Sequence, residues 1–231
     1  MMQTVTALVP MKGQSERVVG KNLRDFCGEP LCVRVLRVLQ DCPAIRAIIV
    51  NTDSEDIAAI AASFSKSVIH ERAPEICGHN VPMNAILKWD LEHDARQAGH
   101  YLQTHATNPL LTGPVIVRAV EAYFAGLPGH DSLFSVTPLQ TRLYTADGKG
   151  VNHDPAVLLN TQDLPVLYEE NSNIYLFSRE SFTNAGDKRL GLKPAMFSMG
   201  KMEALDIDNE EDFMLAQAVF RMKRERGEIA W

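Results

Sequence analysis

Short apolar segments alternate with amphipathic segments along most of this chain. The apolar segments have the length of single β-strands. They lie at residues 4–9, 47–50, 68–70, 101–104 and 133–136. The segments between them place apolar residues on one helical face. They run from about residue 30 to 39, 54 to 64, 82 to 97 and 114 to 124. Because alternating strands and helices form mostly parallel sheets, we predict an α/β fold with a Rossmann-like sheet and helices on both faces.

The alternation stops between residues 140 and 170. Asp147-Gly148-Lys149-Gly150 is typical of a hairpin turn, and the neighbouring segments lack a helical period. We therefore expect a small inserted β-rich arm at about 140–170. Two further predicted strands, at 174–177 and 202–207, and a last helix at 209–226 complete one domain that spans residues 1–231.

The charge balance and the apolar pattern restrict the partners. The chain carries 23 Lys and Arg against 29 Asp and Glu, a formal net charge of -6, without a block of basic residues. Proteins that bind nucleic acid neutralise many phosphates, so we expect no nucleic-acid partner. The sequence contains no stretch of about 18 apolar residues and no signal-peptide pattern. We therefore expect a cytoplasmic protein without a membrane partner.

A polar loop with two glycines follows the first predicted strand, from Lys12 to Asn22. Open α/β sheets bind ligands at the carboxyl ends of their strands, so this loop is a candidate binding site. Gly13 and Gly20 allow a close approach of the backbone to an anion, and the basic side chains of the loop could bind a polyphosphate. Six residues separate these glycines, so the loop is neither a Walker A motif nor G-x-G-x-x-G. A solvated loop with ordinary surface charges is the alternative.

Two aspartates precede the last predicted helix, in Asp206-Ile207-Asp208. Residues two apart in an extended segment point the same way, so both carboxylates could bind one Mg²⁺ while Ile207 is buried. The alternative is that Asp208 or Asn209 only caps the helix. Asp53, after the second predicted strand, is also expected to be a helix cap.

Taken in order, several segments resemble the acylneuraminate cytidylyltransferases, also called CMP-sialic acid synthetases. Residues 9–17, V-P-M-K-G-Q-S-E-R, are similar to that family's opening I-P-A-R-x-G-S-x-R. Lys21-Asn22 and G-E-P-L at 28–31 are similar to its K-N and G-K-P-L. The other similar segments are N-T-D at 51–53, T-N-P-L at 107–110, the stretch 162–175, which is similar to Q-x-L-P to N-G-x-I-Y, and D-I-D at 206–208. The resemblance therefore spans nearly the whole chain.

The resemblance implies a nucleotidyl transfer, in which a hydroxyl of a sugar acid attacks the α-phosphorus of CTP and pyrophosphate leaves. Lys21, Asp206 and Asp208 are then the catalytic residues, with Mg²⁺ bound by the two aspartates. The family positions that would bind the nucleotide are Lys12, Gly13, Ser15, Arg17, Lys21, Asn22 and Arg72. Those that would bind the acceptor acid are His105, Thr107, Asn108, Gln162, Asn171 and Tyr175.

The sequence departs from the family pattern mainly at positions where members of that family bind the acid or contact the partner subunit. The departures are Lys12 for Arg, Gly78-His79 for Ser-Asp, His105 for Gln, Asn108 for Ser, Thr161 for Arg and Ser172 for Gly. The activity class is therefore better determined than the acceptor, which we expect to resemble sialic acid and other nonulosonic acids. The arm at 140–170 resembles the family's dimerisation arm, which implies a homodimer.

Two alternatives remain. The same chemistry could use another small acid, such as the eight-carbon acid KDO or a phosphonate. The chain could also be a non-catalytic nucleotide-binding module on the same fold, although a binding module would have little need for a pair of metal-binding aspartates.

Overall fold

The computed structural model describes residues 2–15, 18–78 and 80–229, so the predictions for Arg17 and His79 lie outside the described residues. The strands are β1 (Val5–Met11), β2 (Asp25–Phe26), β3 (Glu29–Pro30), β4 (Ile45–Thr52), β5 (Ser67–Glu71), β6 (His100–Gln103), β7 (Ser132–Leu139), β8 (Leu167–Ser178) and β9 (Pro194–Ser198). The α-helices are α1 (Leu31–Asp41), α2 (Glu55–Ala62), α3 (Met83–His93), α4 (Gly113–Gly126), α5 (Arg179–Asn184) and α6 (Glu210–Glu225).

Seven of the strands form one sheet in the order β5-β4-β1-β6-β8-β7-β9. Parallel pairing joins β5, β4, β1 and β6, and β7 pairs in parallel with β9. β8 is antiparallel to both of its neighbours, so six strands run one way and one runs the other way. The prediction of a mostly parallel sheet is confirmed.

Helices cover both faces of this sheet because successive residues of its strands point to opposite sides. Val9 of β1 belongs to an apolar cluster with residues of α1, α2 and α4. Leu8 belongs to a second cluster, with Leu87 and Leu91 of α3 and Phe182 of α5. Within the described ranges, no helix is long and apolar enough to cross a membrane.

The expected strand at 202–207 is wrong. The backbone turns there, and the N–H of Ala204 donates to the carbonyl oxygen of Gly200 at 2.9 Å. Ile207 then makes one backbone hydrogen bond, to Thr107, instead of a strand ladder. β9 is the edge strand next to β7, and the sequence pattern did not predict this strand. The third helix also ends earlier than predicted, at His93, because the Asp94 carboxylate accepts the N–H groups of residues that a longer helix would have used.

The inserted arm is less regular than predicted. The ends of β7 and β8 form an antiparallel ladder as far as Leu139 and Leu167, and the predicted turn is present as a β-bridge between Tyr144 and Gly150. The remaining described residues between 140 and 166 contain only one short 3₁₀ helix, Thr161–Asp163. Polar side chains take backbone partners in the arm, as where Asn152 accepts the N–H of residue 143, so a continuous ladder does not form.

Candidate active site

The strands β1, β4 and β6 are parallel, so the loops that follow them meet at the carboxyl ends of the strands. The loop from Lys12 to Asn22 contacts the turn after β4. The backbone N–H of Gly13 donates to Asp53 Oδ1 at 2.7 Å. A Cβ atom on Gly13 would lie 2.8 Å from Cβ of Ser54, so only glycine fits without a shift of the backbone.

This contact corrects the role predicted for Asp53. The cap of α2 is Ser54, whose hydroxyl accepts the N–H of Ile57 at 3.4 Å. Asp53 instead anchors the loop after β1 through its contact with Gly13. A carboxylate next to the cap position can therefore accept a hydrogen bond from a neighbouring loop instead of capping its own helix.

The same loop is anchored at its far end by Asn22, which is buried. The Asn22 side-chain N–H donates to the carbonyl oxygen of Lys12 at 2.9 Å, and the Asn22 carbonyl accepts the N–H of Cys32. Val18 is also buried, against the cluster that includes α6. These contacts argue against a loosely solvated loop. They fix Lys12 and Gly13 at the start of the loop and Val18 and Asn22 towards its end.

The structure brings Lys21 together with the two aspartates. The Lys21 ammonium donates to the backbone oxygen of Ile207 at 2.5 Å. Ile207 is fully buried, as predicted, with Asp206 and Asp208 on either side of it. The Lys21 charge lowers the pKa of Asp206, whereas the Asp208 charge raises it. The three candidate catalytic residues thus form one cluster at the sheet edge.

The environment of the aspartate pair fits a divalent cation. Burial is the main cause that raises the pKa of Asp206, and a hydrogen bond with the Thr107 side chain opposes it. Asp206 Oδ1 is buried and has no hydrogen-bond partner among the described residues. An unpartnered carboxylate oxygen beside a second carboxylate is a site that Mg²⁺ would stabilise.

The capping alternative for Asp208 does not account for its side chain. Asn209 caps α6 and forms a capping box with Asp212, which also accepts the backbone N–H of Asp208, so the Asp208 side chain is not the cap. The described part of the chain has no group of three or more His, Cys, Asp and Glu side chains that could hold a metal ion. Mg²⁺ commonly binds one or two carboxylates and completes its coordination with phosphates and water.

A buried polar network orients Arg72, the other nucleotide-binding candidate. Arg72 Nε donates to Asn51 Oδ1 at 2.7 Å, and Arg72 Nη2 donates to the Asn51 carbonyl at 2.9 Å. Asn51 Nδ2 donates to Asp90 Oδ1 at 2.8 Å, and His70 Nδ1 lies 2.8 Å from the same oxygen. Our sequence reasoning missed Asp90. The available signal was an acid beside Ile86, Leu87 and Leu91 on the apolar face of the predicted helix.

The acceptor-binding candidates lie around β6 and β8. The ring of Tyr175 is buried, and the guanidinium carbon of Arg189 lies 3.5 Å from its centroid. Arg189 Nη1 also donates to Gln103 Oε1 at 2.6 Å, and Gln103 Nε2 lies 3.0 Å from His105 Nε2. Arg189 comes from the loop between α5 and β9 and belongs to no motif that the sequence analysis identified. It is the main residue of this region that the sequence analysis did not find.

Asn171 and Ser172 lie where the pairing of β7 with β8 is irregular. Asn171 Nδ2 donates to Thr137 Oγ1 at 3.0 Å, and Asn171 Oδ1 accepts the Ser135 hydroxyl at 2.6 Å. Ser172 has a φ of +57°, in the left-handed region that favours glycine. The family pattern has glycine at this position, so the departure introduces a strained backbone next to the candidate site.

The remaining acceptor candidates differ in their surroundings. Thr107 contacts Asp206, as described above. Asn108 is 1% exposed, and neither its amide oxygen nor its amide nitrogen has a hydrogen-bond partner in the described ranges. Gln162 lies in the arm, exposed, and its carbonyl accepts an N–H of Gln140 at 2.8 Å. No described hydrogen bond connects Gln162 with the residues at the strand ends.

A cavity of about 490 Å³ connects the acceptor side with the aspartate pair. Its walls include Asp206 and Asp208 as well as Glu170, Asn171 and Ser172. A larger cavity of about 750 Å³ lies between α1 and α4, but none of the candidate site residues lines it. A basic loop, two carboxylates and an adjoining polar cavity at the ends of parallel strands are features of an α/β enzyme that binds phosphates and a cation.

Comparison with known proteins identifies the family. The profile of the family described as cytidylyltransferase matches residues 6–225. The chain is 25% identical to post-translational flagellin modification protein B of Campylobacter coli over 232 residues, 96% of this chain and 97% of that protein. It is 27% identical to N-acylneuraminate cytidylyltransferase A of Danio rerio over 221 residues, 92% of this chain and 50% of that protein.

A solved structure has the same fold. The chain of CMP:2-keto-3-deoxy-manno-octonic acid synthetase complexed with CTP matches with a TM-score of 0.70 at 12% identity, over 96% of this chain and 100% of that one. Because the family profile covers most of its length, the chain belongs to the cytidylyltransferase family, and it is an enzyme of that family.

Proposed function

We propose that the enzyme transfers CMP from CTP to a hydroxyl of an acidic sugar of the nonulosonic type, with release of pyrophosphate. The observation that carries this proposal is the cluster of Lys21, Asp206 and Asp208 at the end of the loop after β1. The names of the relative from Danio rerio and of the CTP-bound structural neighbour support a sugar acid as the acceptor.

The nucleotide would lie along the loop from Lys12 to Asn22. The side chains of Lys12, Ser15 and Arg17 would bind its phosphates, and Gly13 would let the nucleotide approach the backbone closely. The contacts of Gly13 with Asp53 and of Asn22 with Lys12 hold the loop in shape. Arg72, held by Asn51, would add a further contact with the nucleotide. Positioning and charge are what this reaction mainly requires from a protein.

In the transfer step, the acceptor hydroxyl oxygen forms a bond with the α-phosphorus as the bond to the oxygen that bridges to the β-phosphate breaks. The hydroxyl proton is lost to water, and pyrophosphate leaves with the electron pair of the broken bond. Lys21 would stabilise the negative charge that develops on the phosphates. Asp206 and Asp208 would hold Mg²⁺, which would neutralise phosphate charge and acidify the attacking hydroxyl.

We also propose that the enzyme acts as a homodimer joined through the arm. Leu158 is 92% exposed, and Tyr144, Val151 and Val157 are each more than half exposed in the same arm. Several apolar side chains that are exposed on one inserted arm are typical of a protein–protein interface. Sedimentation velocity would give a dimer for the intact chain and a monomer after Leu158→Glu with Val157→Glu. A monomeric wild-type protein would contradict the proposal.

The test of the activity is pyrophosphate release from each of the four ribonucleoside triphosphates with Mg²⁺. The acceptors would be sialic, legionaminic and pseudaminic acids, KDO and simple phosphonates. We expect release with CTP and one sugar acid. Release only with KDO or a phosphonate would replace the proposed acceptor, and binding of CTP without release with any acceptor would favour a non-catalytic module.

A further inference from the structure

We propose that Arg189 acts through Gln103 to hold His105 in the neutral form with its proton on Nδ1, so that His105 donates a hydrogen bond to the acceptor acid. Arg189 and Gln103 are positioning residues in this scheme. The role towards the acceptor rests on the function proposed above, whereas the protonation of His105 does not.

The first step is the orientation of the Gln103 amide, which is fully buried. Arg189 Nη1 lies 2.6 Å from one amide atom, and a guanidinium group can only donate, so this atom is the oxygen. The other amide atom lies 3.1 Å from the carbonyl oxygen of Thr104, which can only accept, so it is the nitrogen. Two independent neighbours therefore require the same orientation.

The second step is the protonation of His105. The Gln103 amide nitrogen donates one hydrogen to Thr104, and its second hydrogen points to His105 Nε2 at 3.0 Å. Nε2 must then accept, which excludes a proton on that atom. A charged imidazolium has no acceptor nitrogen, so His105 is neutral and carries its single proton on Nδ1.

The charges around His105 favour the same form. Burial lowers the pKa of His105 to about 4, and the cations Arg189 and Lys21 add to this effect. One cation comes from the loop before β9 and the other from the loop after β1, so they face the ring from two elements. The imidazole is therefore neutral at physiological pH.

The His105 ring lies within the electrostatic reach of both Arg189 and Lys21. Nδ1 makes no hydrogen bond with any residue in the described ranges, and the charge of Lys21 reaches the ring from the nucleotide side. Arg189 extends on the other side to the Tyr175 ring and, at 4.0 Å, to Glu170, which lines the cavity beside the aspartate pair. A sugar acid offers hydroxyl and carboxylate oxygens, which are the acceptors that an Nδ1–H group requires.

The direct test is the tautomer of His105, measured by long-range ¹H–¹⁵N correlation NMR on the full chain labelled with ¹⁵N-histidine. Loss of one of the seven histidine patterns in His105→Asn assigns the signal. We expect protonated Nδ1 and unprotonated Nε2 in the wild type and in Arg189→Lys, which still donates to Gln103. We expect protonation of Nε2 in Gln103→Glu, because the carboxylate has no hydrogen to donate and can only accept a hydrogen bond from His105 Nε2. A wild-type ring protonated on Nε2, or no change in Gln103→Glu, would overturn the proposal.

The kinetic test separates positioning from general damage. Loss of one hydrogen bond predicts that Gln103→Glu and Arg189→Met raise the KM for the acid about threefold to tenfold, while the KM for CTP stays within about twofold. Arg189→Lys should restore most of the affinity for the acid. Arg46→Met, which removes an exposed arginine from β4, is the matched control and should change neither KM.

The two proposals can fail separately. A wild-type enzyme that transfers CMP but whose His105 carries its proton on Nε2 would overturn the positioning role alone. A wild-type protein with the predicted tautomer but without transfer to any acid would overturn the proposed function and, with it, the role of His105 towards the acceptor. Equal changes in both KM values in Gln103→Glu and Arg189→Met would make the two residues structural.

Discussion

In the proposed site, most nucleotide-binding residues belong to one continuous loop and only Arg72 lies elsewhere, whereas the acceptor-binding residues come from distant parts of the chain. The loop from Lys12 to Asn22 is held by a contact within it, from the Asn22 side chain to the Lys12 carbonyl, and by a contact with the turn after β4, from Gly13 to Asp53. The acceptor side brings Gln103, Tyr175 and Arg189 together through side-chain contacts between separate strands and a loop. A motif of neighbouring residues can be recognised in a sequence, whereas a network of side chains from distant parts of the chain cannot.

The departures from the family pattern follow the same division. The nucleotide side keeps both glycines and replaces arginine by lysine at residue 12, which preserves the charge but loses the planar guanidinium. The acceptor side has histidine at 105, asparagine at 108 and serine at 172 in place of the family residues. The proposed nucleotide-binding residues therefore follow the family pattern more closely than the proposed acceptor-binding residues do.

The largest expected effect is that of Asp208→Ala. Removing one of two carboxylates for the cation should lower turnover by about 10³-fold or more, because a metal ion supplies several kcal/mol to the stabilisation of transition-state charge. Asp208 is exposed and outside the helix cap, so the thermal unfolding temperature should change little. Steady-state pyrophosphate release at saturating CTP measures the effect, with Glu211→Ala in the first turn of α6 as the control. Full activity of Asp208→Ala would remove the metal assignment.

Lys21→Ala is expected to have the next largest effect. Loss of a charged donor to the transition state should lower kcat by about 10²-fold or more. Both KM values should be measured, because a residue that binds only the nucleotide should leave the KM for the acid nearly unchanged. Lys21→Arg is the matched variant with the charge retained. An effect confined to the KM for CTP would make Lys21 a residue that binds ground state and transition state equally.

Arg72→Ala should affect only the nucleotide side. We expect the KM for CTP to rise about tenfold, as for loss of one hydrogen bond to a charged group, with little change in kcat. The KM for the acid should stay constant, which contrasts with Gln103→Glu and Arg189→Met. An increase in the KM for the acid would contradict the division of the site into two sides.

The smallest expected effect concerns the strained backbone of the acceptor side. Ser172→Gly removes the strain of a left-handed serine but also a 3.2 Å hydrogen bond between the Tyr175 and Ser172 hydroxyls. The free energy of unfolding should therefore rise by less than about 1 kcal/mol. Ser198→Gly in the edge strand β9 is the control and should lower it by about 0.5 to 1 kcal/mol. Chemical denaturation measures both, and a destabilised Ser172→Gly variant would show that the hydroxyl contact outweighs the strain.

Much of the fold could be predicted because periodic apolar patterns depend only on local sequence. The strands β1, β4 and β6 and the helices α1, α2 and α4 lie close to their predicted positions. The strand predicted at 202–207 is wrong because a turn and a single long-range backbone bond determine the shape of that segment. The arm is less regular than predicted because polar side chains take backbone partners in it.

The candidate site was predictable to the extent that its residues are neighbours in sequence. The proximity of Lys21 to Asp206 and Asp208 agrees with the resemblance, but the buried partners Asp90, Gln103 and Arg189 carry no motif. Their contacts join residues that are far apart in the chain and depend on how the strands are ordered. Only the structure reveals such pairs, although an acid on the apolar face of a predicted helix is a usable signal for Asp90.

The central claim, attack of the acceptor at the α-phosphorus of CTP, is tested most directly by the fate of labelled phosphorus. The enzyme would be incubated with Mg²⁺, the acid that gives the fastest pyrophosphate release and CTP labelled with ³²P at either the α or the γ position. We predict that the α-label is found in a CMP-linked acid and the γ-label in pyrophosphate. Recovery of the γ-label in the acid, with CDP as the second product, would contradict the account.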